Sequence, residues 1–408
     1  MVFKFISMNL FNIFSVNSLL YAIILFITVY GSLQIQKAPI PFSATITYAS
    51  MFLLLILKWK KILKSSSNDK YLLRILVFGC LVLLFKTQQD KSYFEPILLF
   101  FQVFMIALLL EQASKQDLKL SKILFILFII ANCLLIYYER KTMMVLLWNS
   151  EEYGTYRNEI DDLTIFRSSG FTGHPVLGGF LLSIELAFIQ MSKMKQSFKY
   201  IFTVLLFFAL LCVNSRANIG MSGLVSLYLF KDALLNNKHR FIKVLAIFLG
   251  FYFFYDLITT TDFGGRLLNT ESGTNDESTM ARFEAFSFTD YLTWNELLWG
   301  DLDLADHLMQ VMGLAGIENG YIVLVLKYGL LAGGILIVLL TIYQWKVLSV
   351  YPKAQRIILF LLFVLIANTN PHIGHSVPWI FWILSYYLFR PSFVKLKYDN
   401  KYNKEDKA

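Results

Sequence analysis

Three arginines stand at the boundaries of long apolar segments, where a guanidinium group is costly unless it faces a cavity or a partner. Arg167 precedes a glycine-rich stretch, Arg216 lies in a polar break within an apolar run, and Arg282 falls in the first turn of a predicted helix. A guanidinium group can bind two phosphate oxygens at once, so these residues predict a diphosphate-binding site. The alternative is that each arginine neutralises a nearby carboxylate or reaches lipid headgroups.

Glu318 is a carboxylate at the start of a long apolar segment, and Asn319 and Tyr321 follow it as possible contacts to a substrate. A carboxylate in partly apolar surroundings keeps its proton more readily than in water, which suits a general base. The alternative is a helix-start carboxylate that the helix dipole stabilises. His174 and the acidic residues of 257–317 are the other candidates for the base.

The glycine-rich stretch after Arg167 leads directly into an apolar segment. Gly170 and Gly173 would let the backbone approach a ligand closely, and His174 is a further possible contact to it. Pro175 suits the first position of the helix that follows. We therefore expect this stretch to belong to the same site as the arginines.

Two sets of residues have the spacing of metal ligands. Asp301 and Asp303 precede His307, and His372 is followed by His375. The first set, which also includes Asp306, lies on the predicted outer side, where no nucleotide sugars occur. The second set lies in a short turn beside Pro371, without a nearby cysteine or clustered carboxylates. We predict no metal ion and no other cofactor.

The composition indicates the elements that must position these residues. Of 408 residues, 57% are hydrophobic, 16% aromatic and only 16% charged, whereas soluble domains carry about 25% charged residues. The apolar residues occur in blocks of the length needed to cross a bilayer, about 20 residues. The three cysteines each lie inside such a block, which excludes a disulfide framework. We predict an all-α polytopic membrane protein, and these features exclude a soluble enzyme and a disordered chain.

We predict about twelve transmembrane helices in a single integral membrane domain, 1–408. Two of them are irregular: a turn at 214–216 divides the apolar run 198–231, and the overlong segment 318–344 is broken or steeply tilted. Glu185 and Lys327 lie inside spans and are interpreted as a pair. The predicted spans are 10–31, 40–58, 70–86, 94–111, 120–138, 175–192, 198–214, 217–231, 239–256, 318–344, 355–369 and 375–390.

The distribution of Lys and Arg predicts the orientation, because cytoplasmic loops carry an excess of them. The basic loop that begins at Lys58 should be cytoplasmic, which places both termini in the cytoplasm. Two long loops, 139–174 and 257–317, then face outward. The second should contain an amphipathic helix near 279–297, and both are too small to fold alone. The net charge of +9 is thus a topology signal, and we predict no nucleic-acid partner.

The order of these motifs resembles the O-antigen polymerase and ligase superfamily, over residues 160–345. The matching elements are Arg-x-x-Gly-Phe (167–171), His-Pro before a span (174–175), Ser-Arg-Ala (215–217), Ser-x-x-x-Arg (278–282), Glu-Asn-x-Tyr (318–321) and a downstream Tyr-Gly (328–329). Each motif alone is weak, but the ordered set and the number of spans are similar to those of the family.

The resemblance implies a metal-independent glycosyltransferase with a GT-C-like fold in the bacterial inner (cytoplasmic) membrane. It would act on undecaprenyl-diphosphate-linked sugars on the outer side. By position, Arg167, Arg216 and Arg282 match the arginines that hold the lipid diphosphate. Glu318 stands where the ligase branch has a histidine, which favours the polymerase branch.

The expected function is therefore that of a surface polysaccharide (O-antigen or capsule) polymerase. Its partners would be a lipid-linked donor and acceptor, the bilayer, a flippase and a chain-length regulator. One alternative is an O-antigen ligase that transfers finished glycan to lipid A core or to a protein. An alternative of another class is a flippase for lipid-linked oligosaccharides, although the two halves of the chain lack the internal repeat typical of transporters.

Overall fold

The computed structural model describes residues 15–33, 35, 44–63, 94–148, 166–235, 252, 256, 285–301, 303–312, 317, 319–369 and 376–390. These residues form helices and their connections and contain no strand, which confirms the all-α class for the described part. The α-helices are α1 Val16–Ser32, α2 Ala44–Leu63, α3 Phe94–Glu111, α4 Lys115–Thr142, α5 Pro175–Met191, α6 Gln196–Val213, α7 Arg216–Leu235, α8 Trp294–Trp299, α9 Leu304–Met312, α10 Gly320–Val347, α11 Lys353–Ala367 and α12 Ser376–Phe389.

All of these helices except α8 and α9 correspond to predicted spans. The predicted span 70–86 lies outside the described residues, and of the span 239–256 only Tyr252 and Asp256 are described. Among the described residues, α4, α6 and α10 with the turn after it (Gly320–Val350) are long and apolar enough to cross a membrane. Several other helices are apolar but shorter, including α1, α5 and α12. The total of twelve spans stays a prediction.

Helices α5 and α12 form the centre of the bundle. Every residue of α5 from Val176 to Met191 is buried, and α12 is buried from Pro378 to Phe389. A helix that is apolar on all sides lies either among other helices or in contact with lipid, and the burial of these two shows that they lie among other helices. Ring contacts join the two central helices to each other, as between Phe188 and Trp382, whose centroids lie 6.0 Å apart.

The turn between α6 and α7 has the form that the sequence predicts. Helix α6 ends at Val213, and Asn214 adopts a left-handed conformation with φ 55°. Its N–H closes the helix end by donating to the carbonyls of Leu210 and Leu211. Helix α7 then begins directly at Arg216, so the prediction of a turn at 214–216 is confirmed.

Helix α10 is broken at Gly329, where φ is 74° and ψ is 167°. Gly300, directly after α8, lies against the break. The N–H of the next residue, Asp301, donates to the carbonyl of Leu326 at 2.9 Å. A Cβ on Gly300 would lie 2.2 Å from the N of Gly329, so the two backbones are in direct contact. The predicted irregularity is therefore confirmed as a break at Gly329.

The second long loop differs from its prediction. Instead of one α-helix near 279–297, a 3-10 helix Ala285–Tyr291 is followed by the separate short helix α8; residues 279–284 lie outside the described part. Thr293 causes the break because it caps α8: its hydroxyl accepts from the N–H of Glu296 at 3.3 Å, and Glu296 accepts from the N–H of Thr293 at 2.8 Å. The prediction of a single continuous α-helix is therefore wrong over 285–297.

The two ends of the bundle differ in their residues. At one end α4 and α6 end and α5 and α7 begin; we call it the loop end. At the other end α2 ends and α4 begins, and Lys58 forms an ion pair with Asp117; we call it the basic end. Basic side chains at that end lie over aromatic rings, in the pairs Lys58–Tyr21, Lys122–Phe389, Arg356–Trp345 and Arg390–Tyr387.

Candidate functional site

The loop end brings together the helix termini that the sequence predicts to share one face. The N–H of Ser168 donates to the carbonyl of Cys212 at 3.2 Å, which ties the segment before α5 to the end of α6. The amide of Asn319, just before α10, donates to the side-chain oxygen of Asn368, just after α11, at 3.2 Å. The rings of Phe180 and Phe363 lie 5.3 Å apart, so the start of α5 and the end of α11 are neighbours at this end.

A buried carboxylate holds the segment before α5. Glu139, near the end of α4, is 0% exposed. Its Oε2 accepts from the backbone N–H of Ser169 at 2.8 Å and of Gly170 at 2.9 Å. Because backbone N–H groups in an irregular buried segment have no ladder partner, a carboxylate that accepts two of them fixes the segment in place.

Three other side chains complete this framework. Arg140 is 1% exposed and donates to the carbonyl of Phe166. Asn132 accepts from the N–H of Phe171 at 3.0 Å. The indole N–H of Trp148 donates to the carbonyl of Gly170 at 3.3 Å. Side chains on and after α4 therefore hold the backbone on both sides of the buried Ser168 and Ser169.

The two glycines of this segment have structural reasons to be glycine. Gly170 and Gly173 have φ values of 56° and 69°, a region that side chains with a Cβ disfavour. A Cβ would lie 2.4 Å from Oδ1 of Asn132 at Gly170, and 2.4 Å from the ring of Trp148 at Gly173. The close approach that the sequence predicts is therefore an approach to neighbouring side chains of the protein itself, and a ligand is not needed to explain it.

The structure brings two of the three predicted arginines to the same turn. Arg167 is half-buried, and its Nε donates to the carbonyl of Val213 at 3.4 Å. Arg216, also half-buried, is the first residue of α7, three residues after Val213. The α6–α7 turn therefore carries one guanidinium group from its own sequence and one from the segment that Glu139 holds.

The other predicted site residues that the structure describes are Asn319, His174 and Tyr321, and they lie at or near helix starts. Asn319 is 3% exposed and caps α10, because its Oδ1 accepts from the N–H groups of Tyr321 and Ile322 at 3.0 and 3.2 Å. His174 is the residue before α5, where Pro175 takes the first helical position as predicted. His174 and Tyr321 are half-buried at the loop end. Asn319, with both ends of its amide engaged, is better explained as a helix cap than as a substrate contact.

The predicted base Glu318 and the third arginine, Arg282, lie outside the described residues, as do His372 and His375. The structure shows no hydrogen bond between Glu185 and Lys327, since neither carboxylate oxygen of Glu185 has a partner among the described residues. Within those residues, Asp301, Asp303 and His307 do not form a group of three metal-ligating side chains.

Sequence reasoning missed Glu139 and Asn132. The signal for Glu139 was present: a glutamate and an arginine follow directly after the apolar run 120–138, where charged side chains need a specific partner. The partner could not be found in the same way, because it is a backbone segment about thirty residues further along the chain.

Comparisons with other proteins give no family for this chain. It matches no model of a known protein family, and a search of curated proteins finds no match.

Proposed function

We propose that the chain is a membrane glycosyltransferase that polymerises a surface polysaccharide from repeat units linked to undecaprenyl diphosphate. In this proposal, the loop end faces outward from the inner membrane, and arginines hold the diphosphate of the donor. No metal ion is required, because guanidinium groups supply the positive charge that stabilises the departing diphosphate.

The observation that carries the proposal is the position of Arg167 against the carbonyl of Val213, beside the turn that Arg216 follows. Two guanidinium groups at one turn, next to the N-terminus of α7, provide donors and positive charge suited to a diphosphate. The ordered motifs of the sequence support the same assignment.

The framework around Glu139 supports a precise site. A group that stabilises charge in a transition state is effective when the protein holds it in place before the reaction. Arg167 belongs to a segment whose neighbouring N–H groups are bound by Glu139 and Asn132. The segment therefore has few ways to move when a ligand arrives.

The proposed reaction joins two lipid-linked units. A hydroxyl of the acceptor glycan attacks the anomeric carbon of the donor glycan, and the bond from that carbon to the diphosphate breaks. Undecaprenyl diphosphate leaves while Arg167, Arg216 and Arg282 bind its oxygens. Glu318 accepts the proton of the attacking hydroxyl, and one displacement inverts the anomeric centre.

The test measures polymer length and the pool of lipid-linked single units in cells that carry Arg167→Ala or Arg216→Ala. Loss of one such donor should slow chain extension about 100-fold or more, so single units accumulate. Arg356→Ala is the matched control, because Arg356 is a half-buried arginine that stacks on Trp345 at the basic end. Full polymer length in both variants, at normal amounts of protein in the membrane, contradicts the proposal.

The same experiment separates the alternatives. A ligase variant would accumulate long lipid-linked chains instead of single units. A flippase variant would leave single units on the cytoplasmic side, where an impermeant reagent added outside cannot reach them. Glu318→Gln should stop extension while leaving binding of the lipid substrate largely intact, and normal extension would remove Glu318 as the base.

A further inference from the structure

The exposed apolar surface of helix α10 begins at the break in that helix. No residue of 319–329 is exposed, whereas exposed apolar side chains recur between Leu330 and Trp345. These side chains extend over about 22 Å of the helix axis, which fits within the hydrocarbon core of a bilayer, about 30 Å thick. Because apolar side chains on a membrane helix are exposed where they meet lipid, the lipid-facing part of α10 starts directly after Gly329.

The part of α10 before the break is covered by the second long loop instead of lipid. Ile322, Val323 and Leu326 form a small apolar cluster with Leu304 and Leu308 of α9. This cluster is separate from the large apolar core of the bundle. The second long loop therefore lies against the first turns of α10, before the level at which lipid begins.

Helix α8 ends at the level where the lipid-facing part of α10 starts. Directly after α8, the backbone of Gly300 contacts that of Gly329, and the N–H of Asp301 is bonded to the carbonyl of Leu326. Backbones in direct contact leave no room for a lipid between them. The end of α8 is therefore fixed beside the boundary between the covered and the lipid-facing parts of α10.

Three large aromatic side chains beside this boundary are exposed. Phe286 and Tyr291 of the 3-10 helix and Trp294 at the start of α8 are 61%, 52% and 78% exposed, whereas Phe288 and Leu292 pack against the small cluster. The segment thus has two apolar faces, one covered by protein and one exposed. Tryptophan and tyrosine concentrate at the boundary between headgroups and hydrocarbon, because the ring is apolar while its N–H or O–H needs a polar partner.

We propose that Phe286, Tyr291 and Trp294 form a surface that docks the second long loop onto the bilayer, at the headgroup boundary of the leaflet at the loop end. An exposed apolar patch of this kind marks an interaction site. Its partner is lipid, because the patch lies at the level where the exposed apolar band of α10 begins. This docking surface does not depend on the proposed glycosyltransferase activity.

The test uses the fluorescence of Trp294 in the full chain, reconstituted into nanodiscs. Subtracting the spectrum of a Trp294→Phe variant from that of the wild type gives the signal of Trp294. The lipids carry bromine, a quencher, either near the start or near the end of their acyl chains, and iodide serves as the quencher in water. Trp148→Phe gives the matched control, since Trp148 is 6% exposed at the loop end and its signal should respond little to any of these quenchers.

Trp294 should lose most of its fluorescence when the bromine is near the start of the chains and less when it is near their end, and iodide should have the smaller effect. Strong quenching by iodide without quenching by brominated lipid overturns the proposal and assigns the surface to a partner in water, such as a glycan. Stronger quenching by bromine near the chain end, or no quenching of any kind, also overturns it, because the ring then lies deep in the hydrocarbon or under protein.

Discussion

Helix α4 carries a buried acid at each end, and the two acids work differently. Asp117, at the basic end, accepts from the N–H of Ser114 at 2.8 Å and forms an ion pair with Lys58 of α2. Glu139, at the loop end, accepts from two N–H groups of a segment about thirty residues away along the chain. One acid begins its own helix, and the other holds a distant irregular segment.

The two acids show which interactions fix the backbone conformation at each end of the bundle. At the basic end, helices supply the shape and charged side chains add separate contacts, such as Lys58 over the ring of Tyr21 at 4.6 Å. At the loop end, the backbone of 166–174 is mostly irregular and depends on a few side chains of α4. A change of one side chain should therefore alter local geometry more at the loop end than at the basic end.

The largest expected effect is that of Glu139→Ala. Hydrogen bonds to a charged group contribute about 1.5–3 kcal/mol each, and two N–H groups would be left buried without a partner. We expect the free energy of unfolding in detergent to fall by about 3 kcal/mol or more. The backbone amides of Ser169 and Gly170 should also exchange hydrogen faster. Asp117→Ala is the matched variant, and we expect its free energy of unfolding to fall by about 2 kcal/mol.

Hydrogen exchange at the Ser169 and Gly170 amides tests the difference between Glu139 and Asp117. Asp117→Ala should leave the protection of the Ser169 and Gly170 amides unchanged, and Glu139→Gln should retain part of it because the amide oxygen still accepts. Equal loss of protection in the two alanine variants would mean that the loop end has no special dependence on Glu139.

A smaller effect is expected for Gly173→Ala. The left-handed backbone costs a residue with a Cβ about 1–2 kcal/mol, and the added methyl group meets the ring of Trp148. The variant should be less stable by about 2 kcal/mol or more, measured by thermal unfolding. Gly220→Ala in α7 is the control, since nothing lies within 4 Å of its added Cβ. That change should stabilise the protein by about 0.5–1 kcal/mol, and a similar loss in both would contradict the packing argument.

The smallest effect concerns Glu296, an acid on the short helix α8. Hydrogen bonds from the hydroxyl and then the N–H of Thr293 lower the pKa of Glu296 below its ordinary value. Because its pKa is lower in the folded state, Glu296 stabilises the start of α8 above its ordinary pKa, and this contribution is lost as the pH falls through the lowered value. Thr293→Ala should raise that pKa, as an NMR titration of the carboxyl group would measure. An unchanged pKa would show that the capping bonds do not hold this acid.

Sequence patterns were sufficient for much of the helical framework. The apolar blocks predicted the positions of the described long helices, the polar residues at 214–216 predicted the turn, and Pro175 predicted the start of α5. These signals are local: hydrophobic length, a polar interruption and a residue with fixed φ each act on their own part of the chain.

The parts that sequence could not predict depend on contacts between distant segments. The function of Glu139 depends on a backbone segment that reaches it only after folding. The division of 279–297 was missed for a different reason, because a local cap at Thr293 interrupts an apolar spacing that by itself favours one helix. At the candidate site, Arg167 and Arg216 were identified by their types, while their common position at one turn required the structure.

The contact between Gly300 and Gly329 has a consequence for the start of α10. The carbonyl of Leu326 is bound to Asp301, whereas in an uninterrupted helix it would accept from residue 330. The turns before the break are therefore attached to the segment that carries α8 as well as to the rest of their own helix. Residues 320–328 therefore contact the segment 294–301 directly, and a displacement of α8 would be passed to Asn319 and its neighbours.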